Sequence, residues 1–287
     1  MTARRRCGAG RPSVVRLSIA SDDGGLFFDR PFYKNGTALS AAEFPRWGMT
    51  VRRAGSMRFR WNEQNPQRLA ALAAVAETLR PHRPPAAVSV EQIHSKTVCD
   101  VRGVSFGAQG DGLVSADASF MPVVTVADCV PIFLFDPESG AFGVVHSGWK
   151  GTGIAASAVE RMCAEYGASA RNFCIAIGAH IRDCCYIVDA ERAAFFARSF
   201  SQDCVRAVPP GEPLCRGAAA AWKNGGGALF RLSLERANLA VLERAGVRDE
   251  NIVILEECTC CNPLFGSNRR ETLEGGGFTV QAAFVVR

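Results

Sequence analysis

The stretch VADCVPIFLFDPESGAFGVVHSGWKG, residues 126–151, restricts the fold more than any other part of the chain. Two apolar runs, VPIFLFD (130–136) and AFGVVHS (141–147), flank the turn formers Asp-Pro-Glu-Ser-Gly at 136–140. Both runs are apolar at successive positions, as strands covered on both faces are. If they fold back as a hairpin, the start of the first strand lies beside the end of the second. Cys129 precedes the first run and His146 closes the second. The hairpin therefore makes a thiol and an imidazole neighbours, at strand ends where side chains are fixed yet accessible.

The remaining pattern alternates strands and helices. DGLVSA (111–116), PVVTV (122–126) and NFCIAIGA (172–179) read as buried strands, VSV (88–90) and TVCDV (97–101) as short ones. NIVILEE (251–257) and TVQAAFVVR (279–287) supply two more. Helices are expected over 66–80, ending before Pro81, over 154–167 after Gly151-Thr-Gly153, and over 188–200. The clearest is 232–246, with Ser233 as its cap, Leu234, Val241, Leu242 and Ala245 on one face, and Gly246 as its stop. Residues 34–64 read as loops with short strands, and 211–227 as a loop. With 287 residues and 48% hydrophobic content, the chain is long enough to bury a core. The expectation is one α/β domain over 1–287, with mixed sheets and packed helices.

Charge and composition exclude several classes. A net charge of +5 without a dense Lys/Arg stripe argues against a nucleic-acid partner. The apolar stretch near the start is broken by Arg16 and carries no good cleavage site, so no targeting segment is expected. The apolar runs are too short to span a bilayer. These features lead us to expect a soluble, cytoplasmic protein without a membrane partner. The 12 cysteines are then expected to be reduced.

His94, in EQIHSKTV, also lies between two short strands. With Cys129 and His146 it makes a three-ligand set. Zinc held by three protein ligands with one open position is the catalytic pattern, whereas structural zinc is closed by four. Spacing alone leaves open a satisfied core histidine or a buried cysteine. Asp128 suits a group that orients a ligand, a general acid/base, or a turn cap. Asp111 is a turn residue or a polar group near the site. Arg269-Arg270 suit a phosphate through bidentate hydrogen bonds, or form a solvated charge pair. Ser147-Gly148-Trp149 shapes a pocket. Cys184-Cys185 and Cys258, Cys260 and Cys261 invite a second zinc site, since Cys258 and Cys261 are in C-x-x-C spacing, although adjacent cysteines seldom chelate well together. His82 and His180 read as structural or surface residues.

Ordered blocks in this chain resemble the laccase-domain family, also described as polyphenol oxidoreductases and as purine nucleoside phosphorylases of the YfiH type. They are EQIHSKTV, GDGLVSA, VTVADCVPIFLFDP, GVVHSGWKGTG, IGAHIRDCCYIVD, LERANLAVLERAGV and ECTCCNPLFGSNRRE. The resemblance runs from about residue 88 to the C-terminus, and residues 1–65 match poorly. It implies a layered α-β-β-α fold related to certain toxin deamidases. It implies metal ligands at His94, Cys129 and His146, with zinc as the metal and copper as the alternative. It implies phosphorolysis of adenosine, inosine and methylthioadenosine, with accompanying adenosine deamination. Asp128, Cys129 and His146 would then be catalytic. Ser147, Lys150, Arg269 and Arg270 would hold substrate or phosphate. Some bacterial members act on cell-wall precursor errors.

Departures from the family pattern bear on phosphate. Lys150 stands where the family usually has Arg, which keeps the charge but loses the planar fork. LEGGGFTVQ lacks the Gly-Arg of the last block, and His180 replaces a small or polar residue. Other functions compete. A copper oxidase of phenols is one, although four histidines cannot build a mononuclear plus trinuclear copper set. A Cys-His hydrolase with Cys129 as nucleophile and His146 as base is another. A non-enzymatic protein with a structural metal is the last.

Overall fold

The computed structural model describes residues 14–19, 24–215 and 227–287. Most of the loop expected at 211–227 lies outside them.

A seven-stranded mixed sheet has the order β1 (Val15–Leu17), β16 (Ile252–Leu255), β12 (Cys174–Ile177), β10 (Val130–Phe135), β11 (Phe142–Ser147), β8 (Gly112–Ser115), β7 (Val98–Asp100). A five-stranded sheet has the order β2 (Phe27–Pro31), β5 (Arg46–Thr50), β17 (Gln281–Val286), β9 (Phe120–Val126), β6 (Ala86–Val88). Two small sheets complete the strands. One joins β13 (Ile187–Val188), β15 (Phe230–Leu232) and β14 (Val205–Ala207), the other β3 (Tyr33–Lys34) and β4 (Thr37–Ala38). The main helices are α1 (Pro66–Leu79), α2 (Ile154–Tyr166), α3 (Ala190–Ser199) and α4 (Leu234–Arg244), followed by the short α5 (Asn268–Glu271). None is long and apolar enough to cross a membrane.

Alternation along the strands sorts the core into layers. In β10, Val130, Ile132 and Leu134 join a cluster with Ile154, Ala158 and Met162 of α2, Phe196 of α3 and Leu242 of α4. Phe133 and Phe135 face the other way, into a cluster with Trp47 and Met49 of β5 and Ala283 and Val285 of β17. The neighbouring residues Ala282, Phe284 and Val286 of β17 pack against Leu72 and Val75 of α1. The order is therefore helices, sheet, sheet, helix: the α-β-β-α arrangement. Strands buried on both faces are apolar at every position, and for this reason VPIFLF carries no amphipathic period.

The helix ends obey local chemistry. Asn65 accepts a hydrogen bond from Arg68 N and Pro66 occupies the first turn of α1. Ser233 caps α4 through Arg236 N, and Gly246, at φ 88°, ends it in the left-handed region. The segment before residue 65 is more regular than its sequence suggests. β5 lies between β2 and β17, and β1 pairs in parallel with β16.

Candidate functional site

The β10–β11 hairpin forms in the expected register. Val130 lies opposite Ser147 and Pro131 opposite His146, which puts Cys129 beside His146. Asp128, at φ 82°, makes the bend that turns the chain from β9 into β10. His94 comes from the β6–β7 loop, itself at φ 59°. The ligand atoms of His94, Cys129 and His146 all lie within 4.8 Å of one another. The two imidazole rings meet edge to face, with centroids 4.9 Å apart. His146 is buried, Cys129 is half-buried and His94 is exposed, so the set opens on one side.

Asp111, fully buried just before β8, holds this set together. Its carboxylate accepts from His146 Nδ1 at 2.9 Å, from the amides of His94 (3.0 Å) and Ser95 (2.5 Å), and from the Ser95 hydroxyl (2.8 Å). Its backbone carbonyl accepts from His146 N. Burial works against the carboxylate's charge, but the bonds from His146 and Ser95 win and hold its pKa below the ordinary value. In the neutral ring, with Nδ1 donating to Asp111, the Nε2 lone pair of His146 is left for an electrophile, the arrangement in which a carboxylate orients a metal-binding histidine.

Burial alone would push the Cys129 thiol up. The charge of His146 and hydrogen bonds from His146 and His94 outweigh it and bring the pKa down to about 7. Burial likewise works to lower His146, yet the Cys129 charge and the Asp111 bond raise it to about 9. Gly148 leaves room above the set, since a Cβ there would stand 3.1 Å from Cys129 Sγ and 3.4 Å from the His94 ring.

An aromatic and cationic rim follows. The Trp149 ring carries Arg192 at 4.4 Å and the Lys150 ammonium at 5.4 Å. Burial raises the Tyr186 pKa against the charges of Arg192 and Arg269, and Arg269 lies 5.5 Å over the Tyr186 ring. Sequence reasoning missed Tyr186 and Arg192. Tyr186 follows the Cys-Cys pair in a quoted block, but nothing in the spacing pointed to Arg192, in the first turn of α3.

Three expected site residues have other partners. Ser147 Oγ is fully buried and donates to Asn238 Oδ1 of α4 at 2.8 Å, in the helical layer. Alternation along β11 puts it on the face opposite His146. The Arg270 guanidinium donates to the carbonyls of Thr259, Cys260, Asn262 and Phe265, which makes it a loop clamp. The buried Asp128 carboxylate accepts from the Thr259 hydroxyl and from Arg269 N, each at 2.6 Å, so it fixes the segment that carries Arg269.

Residues 58–285 match the family model described as multi-copper polyphenol oxidoreductase laccase, and the chain belongs to that family. It is 34% identical over 164 residues to "Purine nucleoside phosphorylase YlmD" of Geobacillus stearothermophilus, covering 56% of this chain and 55% of that one. It is 34% identical over 170 residues to "Adenosine deaminase RL5" of an unknown prokaryotic organism, covering 58% and 59%. The chain thus spans little more than half the length of these curated relatives. The crystal structure of YlmD from Geobacillus stearothermophilus superposes with a TM-score of 0.69 at 27% identity, over 90% of this chain and 96% of that one.

Proposed function

We propose that the chain is a zinc-dependent purine nucleoside phosphorylase with adenosine deaminase side activity. It would take adenosine, inosine or methylthioadenosine with phosphate to the free base and ribose 1-phosphate. The observation that carries this reading is the three-ligand set at His94, Cys129 and His146, oriented by Asp111 and open on one side. The names of the similar proteins give it its substrate class.

The donors fit zinc: two imidazoles and one thiol already drawn toward its thiolate form. Bound there, zinc would act as a Lewis acid and lower the pKa of a bound water, the chemistry that deamination needs. The chain's own residues would do the rest. Asp111 keeps Nδ1 of His146 protonated, which leaves Nε2 as the atom that would hold the ion. Gly148 admits the substrate close to the set. Trp149 and Tyr186 offer flat apolar faces to a purine. Lys150, Arg192 and Arg269 give the rim the positive charge that phosphate requires. Arg269 is placed by Asp128, which we assign a positioning role. Ser147 and Arg270 are left out of the substrate contacts.

The test is base release from the three nucleosides, with and without phosphate, read by mass spectrometry. Phosphate-dependent ribose 1-phosphate, lost in Cys129→Ala, supports the proposal; no turnover of any nucleoside by zinc-loaded protein overturns it. The juxtaposition of Cys129 with a histidine held by Asp111 also favours a second reading, a metal-free Cys-His hydrolase. It is supported if alkylation of Cys129 abolishes activity in protein whose zinc has been removed without loss of turnover.

A further inference from the structure

Outside the first site, a second group of ligand atoms comes together. The turn after β12 carries Cys184 and Cys185, and the turn after β16 carries Cys258 and Cys261. Their four Sγ atoms lie within 4.8 Å of one another. Cys184 is 3.7 Å from both Cys185 and Cys261, and Cys185 is 3.2 Å from Cys261. A tetrahedral ion with metal–sulfur bonds of ~2.3 Å sets its sulfurs roughly 3.8 Å apart. The separations among Cys184, Cys185 and Cys261 are close to that spacing, Cys258 lies within 4.8 Å of each, and Cys215 Sγ stands beside the group, 2.9 Å from Cys185. As thiols they gain little from one another, because S–H is a weak donor and S a weak acceptor.

The backbone builds the juxtaposition. Cys185 N and Tyr186 N both donate to Arg182 O, a turn tight enough to bring two adjacent sulfurs to one side. Cys261 N and Asn262 N both donate to Cys258 O, which closes the C-x-x-C turn. The Arg182 amide donates to Cys258 Sγ at 3.4 Å. Two guanidinium groups flank the cluster. Arg231 donates to Cys184 O at 2.9 Å and Arg269 to Cys185 O at 3.1 Å. Four thiolates around a divalent ion leave a net negative charge, which Arg269 suits, while the charge of Arg231 is matched by Glu212. Cys184 and Cys261 are exposed while Cys185 and Cys258 are buried, so an ion has a way in and a dry side to rest against.

We propose that Cys184, Cys185, Cys258 and Cys261 form a second metal site, a closed tetrathiolate site for zinc that staples the turn after β12 to the turn after β16. Four sulfur ligands and no open position make the site structural. Soft thiolates select zinc over hard cations. Binding displaces the thiol protons to solvent and changes no oxidation state. The staple has a consequence for the first site. One turn leads into Tyr186 and the other holds Thr259, the partner of Asp128, so a wall of the first site is fixed by the second.

The experiment measures zinc per chain by mass spectrometry in protein prepared with zinc and reductant. In the Cys129→Ser/His146→Ala variant, which lacks two ligands of the first site, one equivalent of zinc should remain. Cobalt exchanged into that variant should show strong thiolate-to-metal charge-transfer absorption. Adding Cys258→Ser and Cys261→Ser should remove both signals. In the wild type, Cys261→Ser, at an exposed position, should lose one zinc equivalent and keep the other; this arm stands if the multiple variants fail to fold. Absence of zinc from Cys129→Ser/His146→Ala, unchanged zinc in Cys261→Ser, or a disulfide among the four cysteines in reduced, zinc-loaded protein would each overturn the proposal.

Discussion

Asp111 acts on two ligands at once, since one carboxylate fixes the His146 ring and the backbone of His94. Asp111→Asn places an NH2 group among N–H donors and loses the charge. We expect zinc affinity to fall by about 10–100-fold, measured by competition with a chromogenic chelator. The Cys129–His146 pair gives a pH dependence in metal-stripped protein. The thiol pKa is depressed to about 7, so the thiolate is present above that pH and is lost as pH falls through it. The His146 charge is lost as pH rises through about 9, so both groups are charged between these values. Alkylation of Cys129 should therefore rise with a midpoint near pH 7. His146→Ala should raise the midpoint, because burial is then opposed by His94 alone; an unmoved midpoint would refute the coupling of Cys129 to His146. The neighbourhood of Cys129 and His146 was legible in the sequence, because a hairpin around a strong turn fixes which ends meet. The role of Asp111 was only half legible, since a turn residue and a residue beneath the site have the same local sequence.

At the scale of elements, the segment around α5 divides two adjacent arginines between two tasks. Arg270→Ala unties four carbonyls of the 259–265 loop and should cost about 2–3 kcal/mol of stability, seen as a lower denaturation midpoint. Arg269→Ala should instead raise KM for phosphate with little change in that midpoint. The reverse pattern would exchange their roles. Ser233→Ala removes the α4 cap and should cost about 1 kcal/mol while leaving the metal site alone. Helices with caps and glycine stops could be read directly, and α1, α2, α3 and α4 lie where their signals put them. The short strands β13 and β14 were not readable, although β7, just as short, was read from TVCDV. A period-2 pattern needs more residues than they contain, and their pairing is set by the tertiary structure. Ser147 shows a second limit. It adjoins His146 in a plausible motif, but neighbouring strand residues face opposite layers, so only one of the two reaches the site.

Across the whole molecule, the two large sheets share a core centred on Phe133, whose ring lies 5.0 Å from that of Trp47. Phe133→Ala should cost about 3–5 kcal/mol, and because β10 also carries the Cys129 end of the site, metal retention should fall with it. We expect heat to unfold the chain in one cooperative transition, as a single domain would; two resolved transitions in calorimetry would contradict that. The layer order was accessible through the resemblance of the sequence blocks. The sheet order, in which β16 and β17 reach opposite sheets from neighbouring stretches of chain, was not, because local patterning carries no record of register. The proposed reaction is tested by the products formed from inosine and phosphate by the zinc-loaded protein, set beside those of Cys129→Ala. Hypoxanthine and ribose 1-phosphate should form only when phosphate is present, and neither should form from the variant. Base release that ignores phosphate, or persists in Cys129→Ala, would contradict it.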